Sequence, residues 1–413
     1  MANAASSWSW RGTTQSHGSL TRIAPCSPSA RLLGGWPLQR QTSLSGLGGR
    51  RSQARRTMKP TTEVDRLTVV SVDPRDDPLW RDLVEQAPSS VFHSPSWIRV
   101  LSDTYGWEPR AHIVVNDRSQ PVAGVPFCRI LDVLGSRVVA LPFSDYCDPL
   151  APDAESWWLL SDRLLADMCP VTLRCVHNDI PLVDNRFTVV KRAKWHGLDL
   201  RPSLETLWRA MHSSAQRAIR KSQRDGVVVR VAESEQELRA FFDLHLTTRK
   251  YKYGLLAQPF AFFRHIWRQF LESRQGFLLL AVHDDRIVAG DLFLQWKSAL
   301  YYKFNASSHD DLPHRPNDLL IWEAIRHAKL HGFTSLDFGL SDSDQEGLLR
   351  YKRKFGGEEK TISILRCWPR GLPTPAETEL RCLVTRLAER FADKLVPDSV
   401  TERAGEDFYR LFA

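Results

Sequence analysis

From residue 66 onward, short runs of alternating apolar and polar residues interleave with stretches whose apolar positions recur every three or four residues. The first period predicts strands and the second amphipathic helices, so the chain reads as an alternation of both. One pattern occurs twice. Val115-Asn116-Asp117, a short turn, then Val122-Ala123-Gly124 and Phe127 reappears about 166 positions later as Val282-His283-Asp284, a turn, then Val288-Ala289-Gly290 and Phe293. Each copy predicts a β-hairpin preceded by two helices: Pro78 to Gln86 and Ser94 to Tyr105 in the first, Glu235 to Tyr251 and Pro259 to Ser273 in the second. The spacing points to one fold repeated in tandem.

The second copy is the clearer. A strand at Val227 to Ala232 precedes the two helices, and strands at 277 to 283, 286 to 296 and 299 to 306 follow. Next come a helix from about Asn317 to His331, a strand from Ser335 to Phe338, a helix from about Gln345 to Phe355 and a strand from Thr361 to Cys367. This order predicts an α/β (α+β) domain with a mixed sheet and helices on both faces. Ser203 to Gln223 reads as one helix with Leu204, Leu207, Trp208 and Met211 on its apolar side, and Pro375 to Lys394 as a terminal helix. The expected division is an N-terminal extension at 1–57, a first domain at 63–200, a second at 201–370 and a helical extension at 371–413.

Length agrees, since 413 residues exceed what one core usually supports. The formal charge of +8 invites a polyanion-binding reading, but residues 1–57 hold eight Arg, no Lys and no acid, which leaves the rest near neutral. DNA binding through bulk charge is therefore not expected, and phosphate recognition must come from local clusters. The extension resembles a transit peptide in composition; a disordered tail, or translated upstream sequence with Met58 as the start, is the plainer reading. Seven scattered cysteines without a C-x-x-C pair predict reduced thiols and no zinc site, and no apolar run approaches a membrane span. A cytoplasmic protein is expected.

Two segments carry a family resemblance. Arg315-Pro316-Asn317-Asp318-Leu319-Leu320-Ile321-Trp322, and Leu336-Asp337-Phe338-Gly339 followed by Gly347, Tyr351-Lys352 and Phe355-Gly356, are similar to signatures of the Fem-type acyltransferases, peptidoglycan cross-bridge aminoacyltransferases and their relatives. Phe92-His93-Ser94-Pro95-Ser96-Trp97 and the run from Leu141 to Pro149 resemble a branch found with polysaccharide-export genes. Over residues 66 to 370 the resemblance implies two tandem GNAT-like domains, each a mixed, mostly antiparallel sheet flanked by helices, the first catalytically degenerate. It further implies acyl or aminoacyl transfer to an amine of a small-molecule or lipid-linked cell-envelope or polysaccharide precursor. A non-catalytic protein of this fold that recognises such a precursor, or a partner enzyme, is the alternative.

Amide-forming transfer needs an activated donor, a neutral amine against its carbonyl, and dipoles or cations where the oxyanion develops. By the resemblance Lys352, beside Tyr351, faces the transferring group; the residues alone favour a solvated lysine on a basic face with Arg350, Arg353 and Lys354. Asp337, at a strand end, orients or deprotonates the amine, or else bonds the following backbone. Arg315, expected extended ahead of Pro316, and Asn317, expected to cap, form a helix start able to meet phosphate. That start lacks the Gly-rich loop of CoA-dependent GNAT enzymes, which disfavours ordinary acetyl-CoA and leaves the donor among aminoacyl-tRNA, acyl carrier protein and a differently held acyl-CoA, with no tightly bound cofactor and no metal.

Arg217 and Lys221, with Arg220 and Arg224, place positive charge on one helical side for a phosphate-bearing acceptor; Arg249, Tyr302 and Lys303 are expected to line the same cleft. Asp337-Phe338-Gly339 also matches the kinase metal-binding triplet, but no glycine-rich loop, V-A-I-K strand or H-R-D loop accompanies it. His327 and His331 lack the glutamate of a zinc-protease helix and read as surface histidines.

Overall fold

In the computed structural model, residues 66–413 are described, so the expectations for residues 1–57 lie outside the described residues. In chain order the first half runs β1 (Thr68–Val72), α1 (Pro78–Gln86), α2 (Pro95–Tyr105), β2 (Glu108–Val115), β3 (Pro121–Asp132), β4 (Gly135–Val139), α3 (Ala154–Leu165), β5 (Val171–Cys175) and β6 (Thr188–Asp199). After α4 (Leu204–Ala210) and α5 (Ser213–Arg224), the order repeats as β7 (Val228–Val231), α6 (Glu235–Thr247), α7 (Phe260–Ile266), β8 (Gly276–His283), β9 (Arg286–Trp296), β10 (Ala299–Ser307), α8 (Pro316–Leu330), β11 (Ser335–Asp342), α9 (Glu346–Arg353) and β12 (Glu358–Cys367). The chain closes with α10 (Pro375–Phe391) and α11 (Asp398–Phe408).

All the described strands join one 12-stranded sheet in the order β1-β2-β3-β4-β5-β12-β6-β11-β10-β9-β8-β7. That order is a palindrome of the repeat with one exchange. β12 pairs antiparallel with β5 of the first half, β6 pairs antiparallel with β11 of the second, and the two pair with each other at the centre. The only parallel pairs among the described strands, β4–β5 and β10–β11, occupy equivalent places in the two halves. The fold is thus a tandem of two like halves sharing one sheet, and the expected boundary near residue 200 divides the repeat in sequence rather than the sheet.

Helices end where side chains supply partners. Ser94 accepts from the Trp97 N–H and Gly106 closes α2 in the left-handed region, the usual cap pair. The expected single helix over 203–223 is two. Met211 is extended, and the His212 N–H turns to the Lys354 carbonyl at 2.9 Å, tying this break to the end of α9. The largest apolar cluster draws Trp80, Phe92, Trp97 and Tyr146 from the first half and Phe241, Phe262, Phe263 and Phe304 from the second, so packing as well as the sheet bridges the repeat.

Candidate functional site

β10 and β11 pair only from Ala299 to Tyr301 and from Ser335 to Asp337, then part. Past that point β11 slips its register against β6 between Asp337 and Leu340, and β10 slips against β9 between Tyr302 and Phe304. Both slips open the sheet at one place. Gly339 lies in the β11 slip with φ 65°, and a Cβ there would stand 2.2 Å from Asp145 Oδ2. The Asp-Phe-Gly triplet therefore answers to a backbone need: a left-handed residue with no side chain, because a carboxylate from the other half occupies the space.

That carboxylate arrives on the 141–150 segment, which is buried throughout although it is largely irregular. A buried loop must find partners for its backbone. Here Arg174 donates to the Ser144 carbonyl, Lys303 Nζ to the Phe143 carbonyl at 3.2 Å, and Cys147 N–H to the Arg174 carbonyl at 2.9 Å. Lys303 Nζ also reaches Asp145 Oδ1 at 2.7 Å, a fully buried ion pair over the rings of Phe92 and Trp97. Burial pulls the Lys303 ammonium down, and Asp145 opposes that pull.

Lys352 comes up from α9 on the other side of the same opening. Its Nζ donates to the carbonyls of Gly339 at 3.1 Å and Leu340 at 2.9 Å, and the side chain has no solvent exposure. Burial brings its pKa down to about 7. It is not the solvated lysine that charge spacing suggested. It braces the slipped backbone that carries Asp337.

Asp337 faces a cleft of about 730 Å³ between the halves, walled by Tyr146, His177, Trp195, Gly197 and Tyr301. Tyr146 Oη donates to its Oδ2 at 2.6 Å and the Gly339 N–H to its Oδ1 at 2.6 Å, so the carboxylate is held at both oxygens. Burial raises its pKa to about 6; the Tyr146 hydrogen bond limits the rise. His177, brought down to about 4 by burial, stands neutral with its ring edge-on to Tyr146 and Trp195. A buried carboxylate of raised pKa, two tyrosines and an aromatic wall can hold an amine and take its proton.

The other expected residues divide. Tyr302 points away from the cleft into the core, against Phe293 and Phe338 and beside Asp291; strand alternation gives the cleft to Tyr301 instead. Arg249 is buried, with Nε bonded to the Leu256 carbonyl at 3.0 Å, and ties down a turn rather than lining the cleft. Arg315 is left-handed (φ 60°), not extended, because its N–H closes the preceding short turn onto the Leu312 carbonyl. Asn317 does not cap α8: it bonds Asn305 at 3.0 Å and Ser307 at 3.3 Å. At that helix start Asp318 pairs with Lys354, so a carboxylate already stands where an anion would be drawn.

Tyr351 Oη bonds the Asn317 carbonyl at 2.9 Å and lines a second cavity of about 530 Å³ with His212, Ser214, Arg350, Arg353 and Lys354, at the start of α5. Arg217, one turn on, bonds Ser213, and Lys221 pairs with Asp225 at 2.5 Å. Sequence reading missed His177 and Trp195 as cleft residues. The second left a trace: Gly197 follows at the alternate position, and a Cβ there would meet the Trp195 ring at 2.1 Å, so the glycine is what lets the indole lie across the strand. His177 left none.

Comparison with known proteins agrees with this architecture. Residues 209–353 match the family model of the acetyltransferase (GNAT) domain. Among solved structures, FemX is 13% identical over 76% of this chain and 100% of its own, with a TM-score of 0.56. The L-PGS of Bacillus licheniformis (14% identical, 76% of this chain, 98% of that one, TM-score 0.48) and a tandem GNAT protein from the clavulanic acid biosynthesis pathway (11%, 75% and 100%, TM-score 0.48) also match. No curated protein matches the sequence. The chain thus carries a GNAT domain over residues 209–353 and shares its tandem fold with the whole length of FemX.

Proposed function

We propose that the protein passes an acyl or aminoacyl group from an activated donor to an amine held in the cleft between its halves, with Asp337 as general base. The observation that carries this reading is the Asp337 carboxylate, buried on the cleft wall, bonded at both oxygens and raised to about 6. As the nitrogen attacks, the N–C bond forms, the donor's ester or thioester bond breaks, and the nitrogen's proton passes to Asp337 while the leaving group retains the electron pair. Tyr146 aims the carboxylate. Lys352 and Asp145 hold the backbone slip that sets its position.

The donor's phosphates are assigned to the basic cavity of His212, Arg350, Arg353 and Lys354 rather than to the start of α8. What favours this is the Asp318 carboxylate, which stands at the start of α8 and is matched there by Lys354. Acyl-CoA is the first donor to test, with aminoacyl-tRNA and an acyl carrier protein after it. The acceptor class that fits the reading is an amino group on a cell-envelope or polysaccharide precursor, free or lipid-linked, met in the cytoplasm.

The test is a matrix of these donors against amino sugars, precursor peptides and lipid-linked precursors, read by mass spectrometry alongside donor calorimetry. A product heavier by the acyl group, absent with Asp337→Asn, is expected. Binding of no donor and formation of no product would overturn the enzymatic reading.

A further inference from the structure

At the edge of the second half, outside the lining of the Asp337 cleft, two histidines and an aspartate converge. His283 ends β8, and Asp311 and His314 bracket the short turn before α8. One nitrogen of each histidine and a carboxylate oxygen of Asp311 all lie within 4.8 Å of one another. We propose that His283, Asp311 and His314 form a site for a divalent transition metal, zinc foremost, that pins the 308–315 segment to the β8–β9 hairpin and to the end of α5.

The argument rests on what surrounds the three side chains. A metal-binding imidazole generally engages an acceptor with its other ring nitrogen, which fixes its tautomer and its direction. Both histidines have such an acceptor, and one residue supplies the two. The Asp225 carbonyl stands 3.0 Å from His283 Nε2, and the Asp225 carboxylate stands 2.9 Å from His314 Nδ1. This leaves His283 Nδ1 and His314 Nε2 with their lone pairs free. His283 Nδ1 is buried without a hydrogen-bond partner, its nearest acid being the exposed Asp284 at 3.7 Å. The rings themselves lie close, with centroids 4.2 Å apart and planes tilted by 33°.

Asp311 completes the set. It is 5% exposed, yet its carboxylate meets only the exposed Arg286, at 3.5 Å, at the outer limit of a hydrogen bond. A buried carboxylate so weakly matched is costly unless something else neutralises it. Two imidazoles and one carboxylate suit zinc and other first-row divalent ions better than magnesium or calcium, which prefer all-oxygen shells. Metal bonds of about 2 Å would draw the ligand atoms to roughly 3.3 Å from one another, an inward movement of about an ångström. Lys221 adds positive charge nearby but is engaged with Asp225 at 2.5 Å and not with the three ligands. Three protein ligands leave a fourth position for water. Because the pinned segment runs directly into Pro316, the site's role is to hold the start of α8.

Full-length protein freed of metal with a chelator is titrated with zinc by calorimetry, and its cobalt form is examined in the visible range. About one zinc per chain, a higher melting temperature on adding zinc, and a cobalt spectrum without a thiolate band are expected. His314→Ala and Asp311→Asn should each lose at least tenfold in affinity; the second keeps the side-chain shape should the first fold poorly. His327→Ala, which removes one ring of a stacked histidine pair elsewhere (centroids 4.0 Å apart), should bind as the wild type does. Absence of binding, binding unchanged by Asp311→Asn, or a thiolate band in the cobalt form would overturn the assignment.

Discussion

Asp337→Asn separates the chemistry of the cleft from its architecture. The amide is isosteric: its oxygen can still accept from the Gly339 N–H, and its NH₂ can donate to a Tyr146 hydroxyl turned to accept. Activity and stability should then move in opposite directions. Loss of a general base costs about 10²- to 10⁴-fold in kcat. For stability, burial holds the carboxyl at about 6 against an ordinary value of 3.8, which at neutral pH is a burden of roughly 3 kcal/mol that the amide does not carry. The folded state binds this proton more tightly than the unfolded chain does, so the burden is absent below about pH 4, grows as pH rises to about 6, and is constant above. The variant should therefore gain melting temperature over wild type progressively between pH 4 and 6, less whatever its weaker hydrogen bonds give up. Wild-type kcat/KM should rise with pH through about 6, and the variant's residual activity should lack that limb. Turnover within about threefold of wild type, or an unchanged pH profile in the variant, refutes the role. A melting temperature that falls at neutral pH refutes the burial argument.

Two further substitutions probe the support of the carboxylate. Gly339→Ala puts a methyl group against Asp145 Oδ2 in a left-handed backbone, so a loss of roughly 2–4 kcal/mol by chemical denaturation is expected, and a loss under 1 kcal/mol would mean the Asp145 segment yields. Lys352→Met orphans the Gly339 and Leu340 carbonyls, about 1–3 kcal/mol each, offset in part by removal of a buried amine. Its signature in steady-state kinetics is a kcat at least tenfold lower with KM within about threefold, whereas an unchanged melting curve and kcat would restore the solvated-lysine reading.

Element order was readable because both periodicities persist over long stretches, and the doubled Val-Ala-Gly hairpin revealed the repeat. Local propensity does not encode tertiary partners, and the departures trace to them. The helix expected over 203–223 breaks because His212 gives its N–H to Lys354, some 140 residues away. Asp337 could be picked out as a polar residue at a strand end, but its partner Tyr146 lies 191 positions upstream, and nothing in either segment declares the pairing. Lys352 looked basic and exposed among basic neighbours, since charge spacing reports a helical face and not which member of it turns inward. Tyr302 and Tyr301 differ by one position, which in a strand is the difference between core and cleft.

The exchange of β6 and β12 bears on how the molecule comes into being. As the chain leaves the ribosome, β5 emerges near residue 175, yet the strand that covers its free edge is not complete until residue 367. Until then the N-terminal half presents an open edge able to pair with any strand it meets, and β6 is equally exposed until β11 arrives. Neither half can finish alone. A chain stopped short of β12 leaves β5 and β6 each with an uncovered edge instead of keeping an intact first half.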